Sequence, residues 1–291
     1  MNYKISAYVP CYNAERYLAA TLRGLLAQTC QPAEIIVIDD GCTDSTAQIA
    51  KQFPVKLIQH QTNKGLAAAR NTAIKHAKYD LVASIDADIV PSPSWLEHLL
   101  STFTDSNIAG AGGRCIEKFQ ETAADRWRAL HLVQDLGEKD IVIKPTIQEG
   151  LSGFATVFRK SALEHIGGYN ELYRTNWEDW DISARLREAG YTLIYHTPAV
   201  AFHMRRDTPI SVVRTAWRWV FWIRFYDGDY NNLWLKLLQN CRRASNKAWQ
   251  HVKMRDFPLL QVDFLYLICF CYWDLCYFSS NRRTKHPPSS H

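Results

Sequence analysis

Residues 81–88 read Leu-Val-Ala-Ser-Ile-Asp-Ala-Asp, a short apolar run followed by two carboxylates spaced two residues apart. A continuous apolar run of this length is typical of a strand buried on both faces, as in parallel sheets covered by helices. In open parallel sheets, ligands bind at the carboxyl ends of the strands. The stretch therefore predicts a buried strand at 81–85 that places Asp86 and Asp88 at a ligand site.

The sequence before this strand alternates β-branched runs with helical patterns. Apolar residues recur at helical spacing between the runs, and Asp44 or Ser45 can cap the second helix. The predicted strands are residues 5–9, 34–38, 55–59 and 81–85, and the predicted helices are residues 18–26, 45–52 and 66–77. This alternation predicts βαβ units and hence an α/β fold, with a mostly parallel sheet flanked by helices.

The polar motifs of the first half all follow predicted strands. Residues 10–13 (PCYN) come after the first strand, residues 39–44 (DDGCTD) after the second, and residues 86–88 after the fourth. Because the carboxyl ends of parallel strands meet at one edge of the sheet, these motifs are expected to converge on one ligand site.

Beyond about residue 110 the pattern loosens. The predicted elements there are helices at 125–136 and 178–189, a glycine-containing loop at 150–154, and a strand that begins at 193–196 and continues past Pro198 to His203. Beyond Thr208 the composition shifts to Trp, Arg and Tyr. We therefore predict an α/β domain over 1–207, a helical segment over 208–280, and a disordered tail over 281–291.

Composition restricts the class of protein. In a chain of 291 residues, 47% hydrophobic and 22% charged residues are ordinary globular usage. The net charge of +5 selects no partner by itself, and we expect no nucleic-acid partner. Eight Cys without a CxxC pair, and an N-terminus that leads straight into a strand, favour a reducing, cytoplasmic compartment.

The most apolar segment is residues 262–278, where Asp263 and Asp274 bracket ten uninterrupted apolar residues. A membrane-spanning helix needs roughly 20 apolar residues, so we expect a buried or interfacial helix and no span. Residues 214–224 mix aromatic residues with arginines, as interfacial helices do. For either segment alone, a packed core helix with surface arginines is favoured. The two segments together lead to the hypothesis of peripheral contact with the inner face of a membrane.

The carboxylate motifs allow two interpretations each. Asp86 and Asp88 can share a divalent cation that also holds phosphate oxygens, or they can be solvated turn residues. Asp40 can accept a hydrogen bond from a nucleobase N–H, or Asp39 and Asp40 can form an Asx-turn while Asp44 caps the next helix. The position of both motifs at the ends of buried strands favours the binding interpretations.

Five motifs occur in a recognisable order. They are residues 9–15 (VPCYNAE), 37–44 (VIDDGCTD), 63–71 (NKGLAAARN), 86–88 (DAD) and 177–181 (WEDWD). The succession resembles the family 2 glycosyltransferases over roughly residues 3–205. One departure is Cys42, where the family usually has Ser, and we expect little effect because a small side chain suffices at that turn.

The resemblance implies a GT-A fold and transfer of a single sugar, with inversion, from a nucleotide-diphosphate sugar to an acceptor hydroxyl. A UDP-sugar is the favoured donor, and the acceptor would be a carbohydrate, a lipid-linked sugar or another hydroxyl compound in polysaccharide, glycolipid or glycoconjugate synthesis. The residues expected at the nucleotide sugar are Pro10, Tyr12, Asn13, Asp40, Arg70 and Asp86. Asp88 is expected to bind Mn²⁺ or Mg²⁺, assisted by Asp86 and His203.

The remaining expected site residues lie on the acceptor side. Asp179 begins a predicted helix, whose N-terminus stabilises a carboxylate that can accept a proton. The resemblance makes Asp179 the general base, with Glu178 orienting the acceptor and with Gly153 and Trp180 on the acceptor surface. An ordinary acidic first turn is the alternative for Asp179, and a loop histidine is the alternative for His203.

The sequence supports two other functions less well. A sugar-phosphate nucleotidyltransferase is expected to open with a glycine-rich, basic phosphate loop, which residues 10–13 are not. A non-catalytic nucleotide-sugar binding module would tolerate loss of the acidic motifs, all of which are present. The motif Gln-x-x-Arg-Trp of processive relatives is absent around Arg218 and Trp219, so we expect one sugar to be transferred per encounter.

Overall fold

The computed structural model describes residues 4–133, 135–144, 150–174, 176–226 and 232–280, without the side chains of 222–226 and 280. The tail predicted at 281–291 lies outside these residues. The chain divides into two compact units, which are Met1–Lys118 with Gln134–Arg205, and Phe119–Val133 with Arg206–His291.

The first half of the first unit has the predicted order of elements. The strands are β1 (Ile5–Cys11), β2 (Glu34–Asp39), β3 (Lys56–Gln59) and β4 (Leu81–Ile85), and the helices are α1 (Leu18–Leu26), α2 (Thr46–Ala50) and α3 (Leu66–His76). The predicted ends differ from these by two residues or fewer. β1 pairs in parallel with β2 and β4, and β2 pairs in parallel with β3, as the βαβ pattern predicts.

The second half adds strands that the sequence did not delimit. Its elements are β5 (Ile89–Pro91), α4 (Trp95–Ser101), β6 (Ile108–Glu117), β7 (Ile141–Ile143), β8 (Ala155–Arg159), α6 (Lys160–His165), α7 (Glu178–Glu188) and β9 (Thr192–His203). Only α7 and β9 were predicted, and β9 does run through Pro198. The sheet order is β3-β2-β1-β4-β8-β6-β9-β5, with β7 also paired to β9. β8 is antiparallel to β4, so the α/β fold carries a mixed extension on one side.

The sheet is buried on both faces. Along β1, Ala7 and Val9 pack into one hydrophobic cluster, and Tyr8 between them packs into a second. Ile36 and Val37 of β2 divide between the clusters in the same way. Because both faces are covered, the strands have no solvent-facing side, and polar side chains are free to gather at the strand ends.

The second unit is helical. It contains α5 (Ala123–His131), α8 (Pro209–Tyr226), α9 (Leu233–Lys253) and α10 (Leu259–Ser280). The sequence-based division placed residues 119–133 in the α/β domain, whereas the structure groups them with the C-terminal helices. The reason is that Trp127 of α5 is fully buried in a cluster with Val212 of α8 and with Tyr266 and Phe270 of α10.

α10 corrects the expectation that no segment reaches the length of a membrane span. Over Leu259–Ser279 it is long and apolar enough to cross a membrane, by length and composition alone. Counting uninterrupted apolar residues missed this because Asp263 and Asp274 interrupt the run. Both carboxylates are buried inside the second unit, where each accepts a hydrogen bond from an indole N–H.

Candidate functional site

The loops after β1 and β2 meet at the carboxyl edge of the sheet. The side-chain oxygen of Asn13 accepts the Thr43 amide at 2.8 Å, and the Asn13 amide lies 3.2 Å from the Cys42 sulfur. Tyr12 is 56% exposed beside them, so its ring is available to stack on a planar ligand. Pro10, in contrast, is buried within β1, and the structure does not bring its ring to the surface of the site.

Asp40 is largely occupied by contacts within the protein. Its Oδ1 lies 2.6 Å from His60 Nδ1 and accepts the Lys64 amide at 2.9 Å, and its Oδ2 accepts the Gly65 amide at 2.8 Å. A carboxylate oxygen accepts about two hydrogen bonds, so acceptor capacity is left only on Oδ2. Asp40 therefore holds the loop before α3 and keeps acceptor capacity for a nucleobase only on Oδ2.

Asp86 and Asp88 lie between the end of β4 and the start of β5. Ile89 pairs with His203 across β5 and β9, which places His203 Nε2 3.2 Å from Asp88 Oδ2. The other ring nitrogen, Nδ1, lies 3.0 Å from Glu117 Oε1. His203 is thus held between two carboxylates, and the alternative of a loose loop histidine is wrong.

The electrostatics of this cluster follow from burial and close charges. Burial alone would raise the pKa of Asp88, but the charge and hydrogen bond of His203, together with the charge of Arg205, lower it to about 2. Burial alone would lower the pKa of His203, but Asp88 and Glu117 raise it to about 9. Asp88 is therefore ionised throughout the physiological range.

These residues fit a divalent cation only in part. Among the described residues, no three His, Cys, Asp or Glu side chains are gathered closely enough to hold a metal ion themselves. Mg²⁺ is commonly held by one or two carboxylates together with substrate phosphates. The Asp88 side chain is 26% exposed and can therefore reach a ligand. Glu117 and His203 form a carboxylate–histidine pair of the kind that is common beside bound metals. The residues fit a cation shared with a diphosphate, and they do not form a complete protein cage.

Arg70 of α3 joins the two sides of the site. Its Nη2 donates to Asp86 Oδ1 at 2.9 Å and to the Gly153 carbonyl at 3.0 Å, while Nη1 donates to Glu178 Oε1 at 2.7 Å. Although burial would lower the pKa of Arg70, Asp86 and Glu178 raise it well above its usual value. Arg70 is only 1% exposed, so it lies behind Asp86 and away from the expected nucleotide or sugar contact.

Position 153 requires a glycine for a different reason than expected. The sequence suggested that a glycine here admits the substrate. A Cβ at this position would lie 2.7 Å from Arg70 Nη1, so the glycine makes room for the buried guanidinium. The Gly153 amide donates to Asp179 Oδ2 at 3.0 Å, which places the expected acceptor loop against the expected base.

The start of α7 carries Glu178 and Asp179. Asn176 and Trp177 precede it with positive φ angles of 66° and 74°. Such angles are uncommon for residues other than glycine and cost about 1–3 kcal/mol each, and they cluster at functional sites. The turn directs Glu178 inward to Arg70, whereas Asp179 stays partly exposed at the surface of the site.

Glu178 is a buried carboxyl with one oxygen paired and one unpaired. Its Oε1 accepts from Arg70, while Oε2 is buried with no hydrogen-bond partner among the described residues. Burial raises the pKa of Glu178 to about 7, because its effect exceeds the opposing effect of the Arg70 charge. Glu178 can therefore change its protonation state near neutral pH, beside the carboxylate of Asp179.

Trp180 forms a stacked pair with Trp177. Their ring centroids are 5.6 Å apart and the planes differ by 12°. Trp180 is 40% exposed, so the pair presents a flat aromatic surface next to Asp179. Aromatic faces of this kind line small-molecule sites and suit the apolar face of a sugar ring.

Sequence reasoning missed three residues that organise the site. They are His60 beside Asp40, Glu117 beside His203, and Trp177 beside Trp180. His60 directly follows β3 and shares the strand-end position of the predicted motifs, which was a usable signal. Glu117 gave none, because β6 was not predicted. Trp177 begins the motif at 177–181, but its stacking on Trp180 depends on the turn before α7 and could not be predicted.

Comparison with known proteins supports the resemblance. The family described as Glycosyl transferase family 2 matches residues 6–167, a range that ends before α7. The "Pre-mycofactocin glycosyltransferase" of Mycobacterium tuberculosis is 34% identical over 196 residues, which are 66% of this chain and 40% of that protein. The chain thus spans well under half of that relative.

Two solved structures share the fold. The mannosyltransferase PcManGT from Pyrobaculum calidifontis, in complex with GDP-Man and Mn²⁺, has a TM-score of 0.62 and 17% identity, over 93% of this chain and 87% of that one. S. aureus TarS residues 1–349, in complex with UDP-GlcNAc, has a TM-score of 0.56 and 21% identity, over 74% and 65% of the two chains. These likenesses show the GT-A fold, and the family match covers more than half of the sequence. The chain belongs to the family 2 glycosyltransferases.

Proposed function

We propose that this protein transfers one sugar from a nucleotide-diphosphate sugar to an acceptor hydroxyl, with inversion at the anomeric carbon. The observation that carries the proposal is the bridge formed by Arg70. This buried cation links Asp86, at the donor carboxylates, to Glu178, next to the expected base Asp179. In this proposal, both halves of the displacement reaction share one hydrogen-bonded network.

Asp179 acts as the general base in this proposal. Its Oδ2 is held by the Gly153 amide and its Oδ1 by the Trp180 amide, so its position is fixed without the loss of its negative charge. Removing the acceptor proton as the new bond forms lowers the barrier to attack. Glu178 keeps Arg70 in place, and the stacked face of Trp180 and Trp177 orients the acceptor ring.

Asp88 and His203 hold the donor end. A bound Mn²⁺ or Mg²⁺ would offset the charge that develops on the departing diphosphate. Asp88 supplies the ionised carboxylate for that cation, assisted by Asp86, and Glu117 fixes the ring of His203. Because the base and the leaving group act on opposite faces of the sugar, a single displacement inverts the configuration.

The donor proposed is a UDP-sugar, stacked through its base on Tyr12. The complex of TarS with UDP-GlcNAc supports uridine, while that of PcManGT with GDP-Man keeps guanosine as the competitor. Asp40 has too little acceptor capacity left to decide between the bases. The choice therefore depends on direct binding measurements.

The test is a thermal-melting titration with UDP and GDP, with and without Mn²⁺, on the wild type and on Asp88→Ala. A ligand stabilises the folded state by an amount set by its affinity and concentration. We expect a Mn²⁺-dependent shift that is larger for UDP and lost in Asp88→Ala. Asp105→Asn, at an exposed aspartate that holds its own turn, is the matched control and should behave as wild type. No shift with either nucleotide would contradict the proposal and favour a non-catalytic module.

Product analysis tests the remaining chemistry. With an α-linked donor, we expect a β-linked product by nuclear magnetic resonance and one sugar added per acceptor. A retained α linkage, or long homopolymers, would contradict inversion or single transfer, respectively.

We also propose that the protein acts in the cytoplasm at the inner face of a membrane. The support is the outer face of α10, where Phe264, Ile268, Tyr272 and Leu275 are 46–67% exposed at helical spacing. The only charged residues of α10 are Asp263 and Asp274, which are buried, so this face carries no charge. Sedimentation with anionic liposomes should fall for Phe264→Ser with Ile268→Ser, and should not change for Leu172→Ser, a matched exposed leucine of the first unit.

A further inference from the structure

The second unit contains a cavity that the proposed transfer reaction does not use. It has a volume of about 380 Å³ and lies among α5, α8, α9 and α10. Three aromatic residues, Trp127, Trp219 and Tyr266, line it. Sites for small molecules usually measure about 300–1,000 Å³ and have mainly apolar and aromatic walls. The cavity therefore has the size and the wall chemistry of a ligand site.

The polar side of the cavity comes from one face of α9. Arg243, Asn246 and Lys247 line it, at helical spacings that bring their side chains together. Two cations four residues apart on a helix repel each other. Among the described residues, no carboxylate lies within ion-pair distance of either cation. The helix keeps this unfavourable pair directed at an aromatic cavity, which is the arrangement expected for a site that receives an anion.

Lys247 is partly withdrawn from water. Its Nζ lies 4.8 Å from the centroid of the Trp127 ring and 5.7 Å from that of Tyr266. Burial lowers the pKa of Lys247 to about 8, although Asp263 acts in the opposite direction. Asp263 does not pair with it, since its oxygens accept from Trp127 Nε1 and lie 2.6 Å from His251 Nδ1. The ammonium group thus has ring contacts but, among the described residues, no carboxylate within ion-pair distance.

We propose that this cavity binds the phosphate group of a lipid, with the phosphate on Arg243, Asn246 and Lys247 and the first part of the apolar chain against Trp127, Trp219 and Tyr266. Arginine and lysine both form charge-assisted hydrogen bonds to phosphate oxygens. An inorganic anion would contact the cations but would not contact the aromatic walls. An uncharged amphiphile would leave the cations unpaired, so only an anionic amphiphile matches both sides.

The proposal extends the suggested membrane contact from a surface to a specific site, and it does not depend on the transfer reaction. The probes are dodecyl phosphate below its micellar concentration, dodecyl maltoside and inorganic phosphate, titrated into the full chain by calorimetry. We expect dodecyl phosphate to bind at least about tenfold more tightly than either other probe, because only it uses both the cations and the rings. The variants Arg243→Gln and Lys247→Gln should each weaken it by about tenfold, the loss of one charge-assisted hydrogen bond.

Arg242→Gln is the matched control. Arg242 is next to Arg243 on the same helix, is also exposed, and does not line the cavity, so its substitution removes the same charge outside the site. Its affinity for dodecyl phosphate should stay within about twofold of wild type, and UDP binding should not change in any variant. Equal affinity for dodecyl maltoside or for inorganic phosphate would overturn the proposal. So would an equal loss in Arg242→Gln, which would show attraction by net charge and no site.

Discussion

Two pairs of aspartates, one pair in each unit, act in opposite ways. In the first unit, Asp86 and Asp88 have charged partners, Arg70 and His203, and keep 29% and 26% of their side chains exposed. In the second unit, the Asp263 side chain is 4% exposed and Asp274 is fully buried. Each of them accepts a hydrogen bond from an indole N–H group. A carboxylate that keeps an exposed side can still bind a ligand, whereas an enclosed one is limited to holding helices together.

The partners of the enclosed carboxylates show the second role clearly. Asp274 accepts from Trp217 of α8 and Asn240 of α9, so it joins three helices through hydrogen bonds. Asp263 does the same for α5 and α9 through Trp127 and His251. A buried polar group is tolerated when it is hydrogen-bonded, and it then restricts how the surrounding elements can pack. The difference predicts that substitution of Asp88 affects activity and that substitution of Asp274 affects stability.

The largest expected effect is that of Asp179→Asn. This variant keeps the shape of the side chain and its contact with the Gly153 amide but removes the proton acceptor. General-base catalysis contributes about 10²–10⁴-fold, so kcat should fall by about 10³-fold with little change in donor KM. Steady-state kinetics and the melting temperature test this together. Glu188→Gln, at the exposed far end of α7, should match wild type. If Asp179→Asn instead raises KM and leaves kcat unchanged, the role of Asp179 as base is wrong.

Asp88→Asn comes next and addresses the exposed pair directly. The variant loses the charge expected to hold the cation, and losses of such electrostatic stabilisation cost about 10²–10³-fold in kcat. Because the side chain is partly exposed, the melting temperature should change by only a few degrees. A high concentration of Mn²⁺ should restore little of the lost activity. A large loss of stability with normal activity would show that Asp88 behaves like the enclosed carboxylates, and the comparison would fail.

Asp274→Leu tests the enclosed pair. The variant leaves the Trp217 indole N–H and the Asn240 amide facing an apolar group, and stranded buried donors cost about 1–3 kcal/mol in the free energy of unfolding. Chemical denaturation measures this loss, and kcat per folded molecule should not change. Replacing both donors as well, with Trp217→Phe and Asn240→Leu, should recover much of the stability. Gln261→Leu, exposed on the same helix, should stay within about 0.5 kcal/mol of wild type.

The contrast also explains what the sequence could predict. The strand at 81–85 and the polar residues after it are local features, so β4 and the position of Asp86 and Asp88 followed from eight residues. β6 was missed because Gly110, Gly112 and Gly113 resemble a loop in sequence. A Cβ at Gly113 would lie 2.0 Å from the Ala199 carbonyl oxygen, so close packing between strands requires these glycines.

The missed contacts of the site are likewise long-range. Arg70 meets Glu178 across 108 residues of sequence and the Gly153 carbonyl across 83, and no local pattern announces either contact. The family resemblance placed Arg70 near the substrate, but only its side-chain contacts with Glu178 and with the Gly153 carbonyl show that it is enclosed. In the second unit, Asp263 and Asp274 looked like interruptions of an apolar helix because their partners lie on other helices.

The smallest expected effect concerns the pH dependence of the first unit, through Glu178. Burial raises the pKa of this carboxyl to about 7, so in the free enzyme it is protonated below that pH and ionised above it. Only the ionised form supports the ion pair that holds Arg70 on Asp86. We therefore expect kcat/KM to rise between pH 6 and 8 by about tenfold, since kcat/KM reports groups of the free enzyme.

The variant Glu178→Gln should remove this limb and leave a flatter, lower profile, because Gln accepts from Arg70 at every pH but supplies no charge. The contribution of Glu178 to the free energy of unfolding should fall over the pH range in which kcat/KM rises. A carboxyl whose folded pKa is raised from 4.5 to about 7 binds more protons when folded, so its stabilising contribution is complete below pH 4.5 and is lost as the pH rises through 7. Wild type should thus lose stability relative to Glu178→Gln between pH 5 and 8. Parallel stability curves for the two proteins would show that folding does not raise the pKa of Glu178, and the expected pH dependence of the bridge through Arg70 would then be wrong.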